Sequence, residues 1–265
     1  MINRKPIASG KLYPSDFTKL DNQVKMCFLD KAGPGDFPTS RKSKKIIGVI
    51  CPNSSYDKSG PISAWSFKEL AECEFPQTYI ILSTNNSNFG NDISTYTFTD
   101  WETPFGIINV NKGIALKLTR KFKNIINELE PFSENNTIEV QLPLLQYASK
   151  DNLKNLNFVP IIIKTIDYNY LLELAKAITS IKNEIYFNII ISSNIIGDNT
   201  ATDYIKDLNS KSYYDYLVKN NLLSNEASPL IVGLECAKLM GAKRARLLNI
   251  KSCGKDITYG AFVFE

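Results

Sequence analysis

Residues 45–51 read KIIGVIC, an apolar run that stops at Pro52 and Asn53. A short run without polar alternation is the mark of a strand buried on both faces. The polar loop 52–59 follows, and Gly60-Pro61 opens a helical pattern that lasts to Glu72, with Pro61 suited to a first helical turn. Comparable apolar runs recur at 77–84 (QTYIILST), 158–164 (FVPIIIK), 184–192 (EIYFNIIIS) and 245–250 (ARLLNI), and 258–264 (TYGAFVF) closes the series. Residues 93–99 alternate and predict a strand at a sheet margin, while 107–110 are short and extended. Helices are predicted over 112–129, 137–149, 167–181, 204–220 and 229–240, with Pro143 expected to kink or interrupt the second. Buried strands alternating with helices define an α/β fold. The expected form is a three-layer α/β/α single domain over residues 1–265 with a mostly parallel central sheet.

Composition narrows the function classes. Hydrophobic content of 43% and charged content of 22% are ordinary for a globular protein. A net charge of +4 falls short of a nucleic-acid signature. The tightest basic run, Arg41, Lys42, Lys44 and Lys45, reads as a solvated loop before a strand. No run approaches the length of a membrane span, and the polar opening at 1–10 holds no apolar signal segment. The five cysteines, Cys27, Cys51, Cys73, Cys236 and Cys253, form no CxxC pair, and an odd count argues against a disulfide framework. Reduced thiols, several of them buried, and a cytoplasmic location are expected. Nucleic-acid and membrane partners are not expected.

In a sheet of this kind, ligands sit beyond the carboxyl ends of the strands. The loops that gather there are 52–59, 85–92 and 193–200, all rich in Asn, Ser and Asp. Each is also explained by ordinary turn chemistry.

Taken together and in order, the segments resemble the MEMO family (mediator of ErbB-driven cell motility), whose prokaryotic members are the B proteins of the AmmeMemoRadiSam system. Residues 6–14 (PIASGKLYP) resemble PAVAGxFYP, and 49–61 (VICPNSSYDKSGP) resemble IVPHAGYxYSGP. Residues 81–90 (ILSTNNSNFG) are similar to ILGPNHxGxG, and 101–106 (WETPFG) to W-x-TPLG. The most specific likeness is 135–146 (NNTIEVQLPLLQ) to EHSLEVQLPFLQ, and 190–198 (IISSNIIGD) resemble VVSSDFSHY. The resemblance implies a fold like that of class III extradiol dioxygenases. It also implies a pocket of His, Asp and Cys able to hold iron or copper.

The chain contains no histidine at all. By this resemblance, the family's histidines fall on Asn53, Asn86 and Asn136. The aspartate of SSDFSHY falls on Asn194, its histidine on Gly197, and a late cysteine loosely on Asn225. Imidazole and thiolate are strong ligands for iron, copper and zinc, whereas an Asn side chain offers a neutral carbonyl oxygen and no general base. No cofactor and no metal are therefore expected, and the asparagines read as drift after metal binding was lost, as a retained polar pocket, or as an altered catalytic site. Weak oxygen ligation of a hard cation would need carboxylates, and Asp57, Asp92, Glu139 and Asp198 form no convergent set in the sequence.

Tyr56 is read either as lining the pocket or as covering its loop. Glu139 and Gln141, two apart on a helix, point differently, so either one faces the site and the other a neighbouring loop, or both are purely structural. Cys51 is read as the buried end of its strand. Two function classes remain. One is a non-enzymatic, MEMO-like scaffold with a degenerate pocket that binds a protein partner or a small polar ligand. The other is an oxidoreductase or hydrolase, metal-dependent or metal-free, built on replacement residues.

Overall fold

The computed structural model describes residues 3–265; Met1 and Ile2, part of the polar opening read from the sequence, lie outside the described residues. Along the chain, α1 (Phe17–Leu29) precedes β1 (Gly48–Cys51), α2 (Tyr56–Glu72) and β2 (Thr78–Thr84). Three short strands come next, β3 (Ile93–Thr95), β4 (Trp101–Thr103) and β5 (Gly106–Val110), then α3 (Lys112–Lys121), β6 (Ile125–Asn127) and α4 (Glu130–Glu134). A 3-10 turn at Glu139–Gln141 runs into α5 (Leu142–Ala148), followed by β7 (Asn157–Ile163), α6 (Tyr168–Thr179), β8 (Phe187–Ser192) and β9 (Ile195–Ile196). The chain ends with α7 (Asn199–Lys206), α8 (Ser210–Lys219), α9 (Ser228–Leu239), β10 (Ala245–Ser252) and β11 (Ile257–Phe264).

One sheet runs β10-β11-β1-β8-β2-β7-β3-β6. Its centre, β1-β8-β2-β7, is parallel, and β11, β10 and β3 add antiparallel pairs. Successive strand residues point to opposite faces, so one apolar run feeds two cores. Ile50, Ile189 and Ile191 meet Leu174 and Ile178 of α6 and Leu230 and Leu234 of α9. Val49, Cys51 and Ile190 meet Leu20 and Phe28 of α1, Phe67 of α2 and Leu145 of α5. That is the expected three-layer α/β/α arrangement. α9 approaches the sheet at Gly233, where an added Cβ would fall 1.8 Å from Ile191 Cδ1.

Several elements differ from their expected limits. α2 begins at Tyr56, a turn before Gly60-Pro61, because extended Ser55 accepts at its carbonyl from the N–H groups of Lys58 and Ser59. Gly60 then lets α1 pack close, since a Cβ there would sit 2.4 Å from Cys27 Sγ. The helix read over 112–129 ends at Lys121: Phe122 turns extended, and Ile125–Asn127 pair with β3. The single helix read over 204–220 is two helices, broken at Leu208 (φ 54°) and restarted by Asn209, whose side chain accepts from Ser212 N. Pro143 starts α5 in its first turn instead of kinking a longer helix.

The basic run is neutralised in place. Arg41, Lys42, Lys44 and Lys45 pair with Asp151, Glu72, Glu265 and Glu74. All five cysteines are free thiols, and four are buried. Among the described residues no helix is long and apolar enough to cross a membrane.

Candidate functional site

The carboxyl ends of β1, β2 and β8 carry the loops that form a cavity of about 280 Å³. Asn53 and Ser54 come from the loop after β1, Ser55 and Lys58 from the start of α2, Thr84 and Asn86 from the end of β2, and Ser193 and Asn194 from the end of β8. Asn136 and Thr137 precede the 3-10 turn, Glu226 precedes α9, and Leu12 closes the wall from the N-terminal segment. Asn53, Asn86, Asn136 and Asn194 thus line one cavity.

Hydrogen bonds between loops hold this shape. The Asn53 N–H donates to Asn194 Oδ1 at 3.0 Å, which leaves the Asn194 amide N–H₂ as its donating end. Asn225 Nδ2 donates to the Asn85 carbonyl at 2.9 Å, and Ser193 Oγ donates to the Glu226 carbonyl at 3.0 Å. Asn85 itself folds the 85–89 turn, donating to the Phe89 carbonyl and accepting from Ser87.

Beneath the cavity lies a buried polar floor. Gln141 Nε2 donates to the Pro52 carbonyl (2.9 Å) and to Ser192 Oγ (2.8 Å), and Ser192 Oγ donates to the Thr137 carbonyl (2.6 Å). Thr137 Oγ1 and Asn135 Nδ2 both reach the Thr84 carbonyl. Cys51 lies in this floor with its thiol toward Gln141 Oε1 at 3.3 Å, and burial raises its pKa well above that of an ordinary thiol. A buried, protonated thiol is a poor nucleophile.

Three expected site residues stand outside the lining. Asn225 is the tie just described, and its neighbour Glu226 faces the cavity instead. Tyr56 is buried; its hydroxyl donates to the Val140 carbonyl (2.8 Å) and accepts from Leu144 N (3.2 Å), pinning α5 to α2. Glu139 is fully buried and turned to the N-terminal segment. It pairs with Arg4 (2.7 Å) and accepts from Ile7 N, Ala8 N and Tyr13 Oη. Burial, and next the Glu139 charge, push the Tyr13 hydroxyl pKa far up. Of the pair Glu139 and Gln141, Gln141 is the one under the site.

Lys58, Glu226, the serines and the threonines were not read from the sequence as site residues. The one signal in the chain is that Lys58 follows Asp57 and Glu226 follows Asn225.

The donor set does not fit iron, copper or zinc. The lining offers amides, hydroxyls, one ammonium and one carboxylate, and among the described residues no three Cys, Asp or Glu side chains converge. Nor is position 197 ready for a ligand: Gly197 has φ +112°, and an added Cβ would fall 2.7 Å from the Tyr216 ring and 2.8 Å from Ala201.

A three-layer α/β protein with a polar pocket over the carboxyl edge of its parallel strands is the class defined by these features. The chain belongs to the Memo family: the family model described as Memo-like protein matches residues 4–258. It is 31% identical to MEMO1 family protein MJ0403 of Methanocaldococcus jannaschii, covering 98% of this chain and 96% of that protein. It is 28% identical to MEMO1 family protein MK0963 of Methanopyrus kandleri, covering 100% and 99%. The solved structure of uncharacterized protein JW3007 from Escherichia coli K12 shares the fold, with a TM-score of 0.58 at 11% identity over 83% of this chain and 100% of that one.

Proposed function

We propose that this Memo family member is a non-enzymatic, cytoplasmic, single-domain protein whose former metal pocket binds a small polar ligand. The observation that supports it is the convergence of Asn53, Asn86, Asn136 and Asn194 on one cavity. These are the positions at which the family resemblance implies metal ligands. Amides supply both donors and acceptors but no strong metal ligand and no base. The pocket's ability to position polar groups is kept, and its metal chemistry is lost.

A small ligand suits the site better than a protein partner. A cavity of about 280 Å³ lies near the lower end of small-molecule pockets, roughly 300–1,000 Å³. Catalysis would need a nucleophile or base at the cavity. Cys51 is sealed in the floor with a raised pKa, Glu139 is spent on Arg4 and the N-terminal backbone, and the two ionisable residues of the lining, Lys58 and Glu226, are assigned to holding ligand charge.

The test has two arms, both on protein purified without a histidine tag. Elemental analysis after dialysis against a chelator is expected to find well under one equivalent of Fe, Cu or Zn. A thermal-shift panel of sugars, polyols, amides, amino acids and small anions is expected to yield at least one stabilising ligand, an effect removed by Asn136→Leu. A stoichiometric metal that survives the chelator, or a panel with no stabilising member, overturns the reading.

A further inference from the structure

We infer that the ligand is a small zwitterion of the α-amino acid class, with its carboxylate held at Lys58 and its ammonium at Glu226. This rests on the pocket reading above and goes beyond it by naming the ligand's charges.

Lys58 and Glu226 are the two charged side chains in the cavity lining. They enter from different elements, Lys58 from the first turns of α2 and Glu226 from the segment before α9. Among the described residues neither forms an ion pair, with the other or with a third group. That contrasts with the basic run 41–45, where every cation has an acidic partner. Opposite charges that share one small cavity without touching leave a gap. A ligand carrying both complementary charges can fill it.

Competing ligand classes fit less well. A simple anion would satisfy Lys58 but bring its charge toward Glu226, and a simple cation would do the reverse. A sugar or polyol would leave both charges, Lys58 and Glu226, to solvent alone, since both residues are exposed at the rim of the cavity. A zwitterion meets both charges and adds no net charge. The Asn53, Asn86 and Asn136 amides form no side-chain hydrogen bond to the described residues, so they are open to the ligand's own polar side chain. The Asn194 N–H₂ adds a donor.

Calorimetric titration with each standard L-amino acid tests this directly, followed by the N-acetyl and carboxamide derivatives of the best binder. At least one amino acid is expected to bind. Removing either its ammonium or its carboxylate should weaken binding at least tenfold. Lys58→Met should weaken the amino acid by a similar factor. Glu226→Gln should weaken the amino acid while leaving the N-acetyl derivative unchanged. Equal binding of the blocked derivatives overturns the inference. So does a sugar, polyol or monoanion that stabilises the protein when no amino acid binds, although the pocket reading then stands. If nothing in either panel binds, both readings fail.

Discussion

The backbone N–H of Asn53 donates to Oδ1 of Asn194 across 3.0 Å, joining the loop after β1 to the end of β8. Two positions 141 residues apart in sequence are thus registered at the mouth of the pocket, by a bond that needs an oxygen acceptor at 194 and no metal. An aspartate there keeps that acceptor and an alanine removes it. Asn194→Asp is expected to unfold in urea with nearly the parent's stability, and Asn194→Ala to lose about 1 kcal/mol, the usual net worth of such a bond. Equal stability of the alanine variant would show that the bond does not hold the loops.

Glu139 was expected near the site and instead anchors the N-terminal segment. Its carboxylate is fully buried and receives Arg4, two backbone N–H groups and the Tyr13 hydroxyl. Removing one partner of a buried ion pair leaves the other charge uncompensated, at a cost of about 3–5 kcal/mol. Glu139→Ala should lose stability on that scale by urea denaturation and should become sensitive to proteolysis near the N-terminus. A stability within about 1 kcal/mol of the parent, together with lost ligand binding, would instead place Glu139 in the pocket's chemistry.

The thiols give a pH prediction. Burial pushes Cys27 up to about 12 and Cys73 up to about 11, and raises Cys51 and Cys236 further. The unfolded chain begins to release these protons near the ordinary thiol value of 9.0, while the folded chain keeps them. The folded state therefore binds more protons above that pH, and stability falls as pH rises. Each buried thiol contributes up to about 1.4 kcal/mol of that loss for every pH unit above 9. Urea unfolding at pH 8 and pH 10 should show the decline, and a flat profile would rule it out. In native protein at pH 8, exposed Cys253 alone should react quickly with a thiol reagent, and all five should react in denaturant.

Much of the fold was legible because its signals are local. The runs at 45–51, 77–84, 158–164 and 184–192 are apolar on both faces, and their strands form the parallel centre of the sheet. The marginal elements were harder. Nothing in the sequence was read as α1, although Asp16 caps it by accepting from Lys19 N. Ile125–Asn127 looked like the end of a helix because three residues carry no period, and only pairing with β3 makes them a strand. The break at Leu208 depends on a positive φ that its residue type does not announce. For the pocket, the family resemblance marked the four asparagines that meet. It could not indicate that Glu139's partner is Arg4, 135 residues away, or that Lys58 and Glu226 share the cavity.

The central claim is that the pocket's geometry has outlasted its metal ligands. It is tested most directly by titrating Zn²⁺ by calorimetry into the parent and into a variant carrying Asn53→His, Asn86→His, Asn136→His and Asn194→Asp, side by side. Three imidazoles and a carboxylate suit zinc, and the carboxylate introduced at position 194 keeps an acceptor for the Asn53→His backbone N–H. The larger rings should cost about 1–3 kcal/mol of stability through crowding. Affinity should be modest, since groups that orient ligand rings typically matter 10–100-fold and none were selected here. The account predicts one equivalent of Zn²⁺ bound by the folded variant and none by the parent. A folded variant that binds no more tightly than the parent, or a parent that itself binds one equivalent, would contradict it.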